Sequence, residues 1–195
     1  MFTIVGLGNP GKEYEKTRHN TGRIVLSQIA KKNDFSLWKS DMKTKSLQSM
    51  GKLGSQKAVF VFPETFMNNS GVSVKPFAKS KTDLEKLIVV YDDLDLPIGT
   101  IKISYNKSSG GHNGLESIIK NLKSEAFTRI RVGVSPATPS GKIKKPKGEK
   151  AVVDFLLKDF RESEMTELKK VTKKIDEALQ VITNEGRLKA MTLHN

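Results

Sequence analysis

Leu87-Ile88-Val89-Val90-Tyr91, closed by Asp92-Asp93, is a short apolar run rich in β-branched residues, and it predicts a buried strand. Toward the N-terminus, Lys57-Ala58-Val59-Phe60-Val61-Phe62 predicts a second strand stopped by Pro63. Phe2 to Leu7 predicts another, leading into Gly6-Leu7-Gly8-Asn9-Pro10-Gly11. Between them, Ile24 to Ile29 is helix-like, and Val72 to Lys79 can form a short helix despite Pro76. Toward the C-terminus, Thr100 to Tyr105 alternates as a half-exposed strand. Leu115, Ile118, Ile119 and Leu122 follow helical spacing, and Thr128 to Val134 returns to strand. Strands alternating with helices predict a layered α/β domain. Residues 135 to 150 break the rhythm with Pro136, Pro139, Gly141 and five lysines (142, 144, 145, 147, 150) against one glutamate, which predicts a basic mobile loop near 136–150. Met165, Leu168, Val171, Ile175, Leu179 and Ile182 mark one face of a long C-terminal helix. With no repeat and no linker, residues 1–195 are expected to form a single domain.

The formal net charge of +13, from 34 Lys+Arg against 21 Asp+Glu, favours a polyanionic partner through counterion release, nucleic acid first. A solvated lysine-rich surface accounts for the same composition without any ligand. The absence of cysteine excludes disulfides, thiolate metal sites and a cysteine nucleophile, and fits a reducing compartment. Met1-Phe2-Thr3-Ile4-Val5 lacks a basic leader and its apolar run stops at Gly6, so no secretory signal is expected. No stretch approaches membrane-spanning length, and the cytoplasm is the default expectation.

All three histidines precede asparagine: His19-Asn20, His112-Asn113 and His194-Asn195. Imidazole takes a proton near neutrality, and a carboxamide offers donor and acceptor without charge, a combination suited to hydrolysis by water. Each also has a plain structural account. His19 can be a solvated loop residue, Asn113 can cap the helix beginning near Gly114, and His194 has no expected role. Gly6-x-Gly8-x-x-Gly11 matches the dinucleotide fingerprint, but no helix-forming sequence follows Gly11, and Asp34 does not end a strand as a ribose-binding acid would. A tight turn presenting Asn9 is the better reading. If the strands are parallel, Asn9, Phe66-Met67-Asn68-Asn69 and Asp92 all lie beyond strand carboxyl ends, where open α/β sheets bind ligands; three ordinary polar turns would look the same. Phe66-Met67 can be core or an apolar wall. Asp92-Asp93-Leu94-Asp95 has no accompanying His-x-His or His-Glu-x-x-His string, so no metal is expected. With no Gly-x-Ser-x-Gly elbow either, water is the expected nucleophile. A carboxylate that orients and stabilises a protonated imidazole is an economical role for Asp92, and a surface turn, common for acidic clusters after strands, is the alternative.

Taken in order, Gly8-Asn9-Pro10-Gly11, Tyr14, Thr17-Arg18-His19-Asn20, Phe66-Met67-Asn68-Asn69-Ser70-Gly71, Asp92-Asp93-Leu94-Asp95-Leu96-Pro97, Gly110-Gly111-His112-Asn113-Gly114 and Arg129-Ile130-Arg131-Val132-Gly133 resemble the bacterial-type peptidyl-tRNA hydrolases over nearly the whole chain. The resemblance implies a monomeric α/β domain, a three-layer sandwich with a twisted mixed sheet between helices. It implies hydrolysis of the ester joining a peptide to the 3′-terminal ribose of tRNA, without a cofactor, so that peptidyl-tRNA is the expected RNA partner. His19 is then the base that accepts a proton from water, Asp92 stabilises it, and Asn9 separates peptidyl from free aminoacyl groups. Asn68 and Asn113 contact substrate and position water, Tyr14 and Phe66 are aromatic contacts near the tRNA terminus, and Met67 lines the pocket. Lys102, Lys107, Arg129 and Arg131 are candidates for a phosphate-binding stripe, although Ser104 to Ser109 carries fewer cations than the family pattern, and the 142–150 segment looks like a longer, basic lid. A noncatalytic RNA-binding relative is the alternative. A nucleotide-dependent oxidoreductase lacks its ribose-binding acid here.

Overall fold

The computed structural model describes residues 1–195 and places, along the chain, β1 (Phe2–Gly6), α1 (Thr21–Lys32), β2 (Lys39–Asp41), β3 (Ser46–Leu53), β4 (Gln56–Pro63), α2 (Ser70–Val74), α3 (Lys81–Glu85), β5 (Leu87–Pro97), β6 (Ile101–Tyr105), α4 (Asn113–Leu122), β7 (Thr128–Ser135), α5 (Glu149–Leu156), α6 (Glu162–Glu185) and α7 (Arg187–His194). The strands form one mixed sheet in the order β2-β3-β4-β1-β5-β7-β6. The central strands β4, β1, β5 and β7 run parallel, and the outer pairings β2/β3, β3/β4 and β6/β7 are antiparallel.

Period-two alternation along the parallel strands divides the core between two faces. Ile4, Phe60, Ile88, Val90, Ile130 and Val132 join Val25, Leu26 and Ile29 of α1 and Leu168, Val171, Ile175 and Leu179 of α6 in the larger core. Val5, Val59, Val61, Val89 and Tyr91 join Leu115 and Ile118 of α4 and Val74 of α2 in the smaller. The result is a three-layer α/β sandwich with a mixed sheet between helices. No helix is long and apolar enough to cross a membrane.

Several elements depart from the sequence expectation. β5 continues to Pro97 through a register shift between Asp93 and Pro97, so Asp92 lies inside the strand instead of after it; the acidic residues had hidden the continuation. The hairpin of β2 and β3 was not expected, because Ser46-Leu47-Gln48-Ser49-Met50-Gly51-Lys52-Leu53 buries only Ser46, Ser49 and Leu53 and carries no clean alternation. The short α3 is held by a capping box between Ser80 and Asp83, and Gly186, at φ 95°, separates α7 from α6. Lys12–Tyr14 is a single 3₁₀ turn, which removes the helix a dinucleotide fingerprint requires. The loop expected near 136–150 ends at Gly148, where α5 begins.

The approach of α1 to the sheet sets the position of the residues just before it. A Cβ on Gly22 would stand 2.3 Å from the Val90 carbonyl oxygen and 2.5 Å from the Leu7 nitrogen. Only glycine allows this contact, which seats Arg18–Asn20 over the carboxyl ends of β1 and β5.

Candidate active site

Three turns and one strand converge on a cleft of about 930 Å³. Asn9 follows β1, the 3₁₀ turn Arg18–Asn20 precedes α1, Phe66-Met67-Asn68 follows β4, and Asp92 comes from β5. Parallel neighbours bring these carboxyl ends together, as the alternation of elements requires.

His19 Nδ1 lies 3.1 Å and 3.0 Å from the two oxygens of Asp92. Asp92 is 2% exposed and His19 is 8% exposed. Burial alone would raise the carboxyl pKa, but the two imidazoles beside it, His19 and His112, hold it well below the usual carboxylate range. Burial pushes the His19 pKa down, and the charge and hydrogen bond of Asp92 overcome this, leaving it above the ordinary imidazole value. An ionised Asp92 thus fixes a hydrogen on Nδ1, and the other ring nitrogen of His19 is the one left to act as a base. Burial, with Asp93 nearby, pushes the Tyr91 phenol up to about 12, so it remains a hydroxyl in the working range.

The Asn9 amide is set in one orientation. Its backbone N–H donates to Asn20 Oδ1 at 2.8 Å, and its carbonyl accepts from Asn20 Nδ2 at 2.9 Å. The Asn9 Oδ1 accepts from the Met67 N–H at 2.8 Å. With the oxygen committed to a backbone donor, the Nδ2 hydrogens are what Asn9 offers the cleft that it lines.

Met67, Asn68, Phe66 and Asn113 line the cleft as well. Met67 is 5% exposed, and its side chain serves core and cleft wall at once. Tyr14 does not line the cleft; it stands edge-on to Phe66 with ring centroids 6.5 Å apart. Asn113 is not the cap of α4. His112 takes that place, its side chain accepting from the Leu115 N–H, which leaves the Asn113 amide exposed in the cleft.

The four cations considered for phosphate binding separate into three environments. Lys102 and Lys107 are exposed. Arg131 is paired with Asp93 at 2.6 Å. Arg129 is 1% exposed, stacked 4.6 Å over Phe127 and donating to the Ser108 carbonyl at 2.7 Å, so it braces the loop before Gly110 instead of belonging to an outer stripe.

Two parts of the site had no specific role assigned from the sequence. Val152, Val153, Leu156 and Leu157, in and just after α5, supply an apolar wall; the run Ala151-Val152-Val153-Asp154-Phe155-Leu156-Leu157 directly after the lysine-rich loop was its sequence trace. His112 reaches Asp92 Oδ1 with Nε2 at 3.2 Å. Together His19, Asp92 and His112 offer three ligand atoms within 4.8 Å of one another, the set a metal ion would use if one bound.

His194-Asn195 lies away from the cleft. The Asn195 amide accepts from the Ile103 N–H at 2.6 Å and donates to the Ile103 carbonyl at 3.0 Å, giving the third pair a structural role that the sequence reading had not assigned.

The family model described as peptidyl-tRNA hydrolase matches residues 3–195. A peptidyl-tRNA hydrolase of Bacillus cytotoxicus is 38% identical over 196 residues, covering 100% of both chains. One from Pediococcus pentosaceus is 40% identical over 168 residues, covering 86% of this chain and 84% of the relative. The crystal structure of peptidyl-tRNA hydrolase from Acinetobacter baumannii aligns with a TM-score of 0.86 at 29% identity, covering 98% of this chain and 93% of that one. With a match running from residue 3 to residue 195, and a sheet and helices shared with a solved member, the chain belongs to the peptidyl-tRNA hydrolase family.

Proposed function

We propose that this protein hydrolyses the ester between a peptide and the 3′-terminal ribose of tRNA, with water as nucleophile. The observation that carries the mechanism is the buried His19–Asp92 pair opening onto a cleft lined by Asn9, Asn68 and Asn113. His19 accepts a proton from water as the oxygen attacks the ester carbonyl. The carbon–oxygen bond to ribose then breaks, and the departing ribose oxygen takes the proton back from His19. Asn68 and Asn113 hold water and the developing oxyanion. A preorganised donor of this kind is typically worth about 10²–10³ in rate.

Asn9 supplies the discrimination. Its fixed Nδ2 donor suits the carbonyl oxygen of the substrate's first peptide bond, which a free aminoacyl group lacks; that group brings an ammonium to a donor instead. Phe66, with Tyr14 at its edge, and Met67 take the apolar surface near the tRNA terminus. Lys102, Lys107 and Arg131 face the phosphates. We read the chain as one domain acting as a cytoplasmic monomer. The loop from Pro136 to Gly148 is a basic lid, supported by Lys145 meeting Asp95 at the cleft. The noncatalytic alternative leaves the buried dyad without a purpose.

The test is to incubate the protein with N-blocked aminoacyl-tRNA and, separately, with free aminoacyl-tRNA. Cleavage of the blocked ester with the free one spared is expected; failure to cleave the blocked ester sinks the proposal.

A pH profile checks the dyad. His19 must be neutral to act, and its pKa is raised above 6.5, so kcat/KM should climb with pH through a midpoint above that value. Stability runs the other way for this group: the contribution from charged His19 is present below its unfolded pKa and is lost as pH rises through the folded one. The Asp92 contribution is present above the unfolded carboxyl value and is lost as pH falls through its depressed one. A kinetic midpoint clearly below 6.5 would be incompatible with His19 as the base held by Asp92.

A further inference from the structure

The proposed reaction gives His112 no part, yet both of its ring nitrogens are engaged. Nδ1 accepts from the Leu115 N–H at 3.3 Å, at the open first turn of α4. Nε2 lies 3.2 Å from Asp92 Oδ1, the oxygen that is also 3.1 Å from His19 Nδ1. The ring stands edge-on to Tyr91, with centroids 4.9 Å apart, and 5.0 Å from the ring of His19. A neutral imidazole carries one N–H. Because the lone pair on Nδ1 is used by a backbone donor, the hydrogen sits on Nε2 and points at the carboxylate. A metal ligated through Nε2 would force that hydrogen onto Nδ1, against the Leu115 N–H, so the bonding pattern favours a proton between His112 and Asp92.

We propose that His112 is a positioning residue: the N-terminus of α4 fixes its hydrogen on Nε2, and that hydrogen clamps Asp92 in the orientation that holds His19. The clamp has an electrostatic side. A donor on Asp92 Oδ1 shares the carboxylate charge, so Asp92 attracts the proton on His19 less strongly than an undivided carboxylate would. His112 keeps the base available. The inference rests on His19 and Asp92 being the reacting pair.

Two variants divide the functions of the ring. In His112→Asn, Oδ1 replaces Nδ1 as the cap acceptor, and nothing reaches Asp92. In His112→Gln, Nε2 reaches Asp92 as a donor and the cap is lost. The other ionisable groups lining the cleft, Tyr91, Asp93 and Asp95 of β5, Lys102 of β6, Lys107, and Arg129 and Arg131 of β7, are common to both.

Imidazole nitrogen NMR of the substrate-free protein is expected to show His112 with its hydrogen on Nε2, and the titration of His19 moving upward in His112→Asn but not in His112→Gln. His112→Asn should lose about 10–100-fold in kcat with KM little changed, the rate equivalent of one hydrogen bond to a charged group, and His112→Gln should recover most of it. A hydrogen on Nδ1 in the wild type, an unmoved His19 titration in His112→Asn, or no recovery in His112→Gln would overturn the assignment. A kcat loss without a moved titration counts against it too, since a merely structural role predicts that pattern. Failure of the dyad itself is seen separately, as full activity in His19→Ala.

Discussion

Asparagine in place of Asp92 is expected to lower kcat by about 10³–10⁴-fold while the protein stays folded. The carboxylate accepts from His19 with both oxygens and from His112 with one; an amide has a single acceptor oxygen. If that oxygen takes the His112 hydrogen, the new Nδ2 donor faces His19 Nδ1, which must then become an acceptor. The His19 hydrogen moves to Nε2, and the lone pair that should receive a proton from water is gone. The loss is one of tautomer instead of shape. His19→Ala should cost a comparable factor, and the double variant little more than either single change, because the pair works as a unit. Initial rates on N-blocked aminoacyl-tRNA decide it: Asp92→Asn within tenfold of wild type would remove Asp92 from the mechanism.

The second large effect is on stability. Arg18→Ala is expected to destabilise the fold by about 3–5 kcal/mol, out of a total of about 5–15 kcal/mol for a domain. Arg18 is 2% exposed. Its Nη1 donates to the carbonyls of Phe155, Lys158 and Asp159 at 3.4, 3.0 and 3.0 Å, and its Nη2 meets Glu164 at 2.7 Å. The guanidinium also stacks 4.5 Å from the Phe155 ring and 5.5 Å from that of Phe160. Alanine would leave part-buried carbonyls and the Glu164 carboxylate without their partner, and would void the space between two rings. Glu164→Gln, which keeps an acceptor, should cost far less. Urea midpoints at constant slope provide the comparison; equal losses for the two variants would mean that the carbonyl bonds and ring stacking contribute nothing. Since Arg18 adjoins His19 and grips the junction of α5 and α6, the surviving fraction of Arg18→Ala should also show a raised KM, as the apolar wall of α5 loosens.

The parallel core of the fold was legible in the sequence because its strands are short apolar runs separated by helical spacing, as at Val59–Phe62 and Leu87–Tyr91. The β2–β3 hairpin was not, because a peripheral strand that buries serines has no apolar pattern to show. The same limit governs the site. Asn9, Asn68 and Asp92 could be named in advance from their places after apolar strand runs, His19 and Asn113 from the His-Asn pairs, and all five from a resemblance in order. The bond from Arg129 to the Ser108 carbonyl, the cap that His112 makes in place of Asn113, and the second imidazole on Asp92 depend on side-chain contacts that no local spacing records. The three His-Asn pairs are the clearest case: identical dipeptides came to hold an imidazole on a buried carboxylate, a helix cap with a cleft amide, and a strand.

That last pairing bears on how molecules meet one another. Ile103 is the middle residue of the outermost strand β6, and both of its outward backbone groups are taken by the Asn195 amide. An open strand edge is a template on which another copy can add. Here a single side chain occupies the middle register of that edge, so a second copy could not pair with β6 along its full length without displacing Asn195.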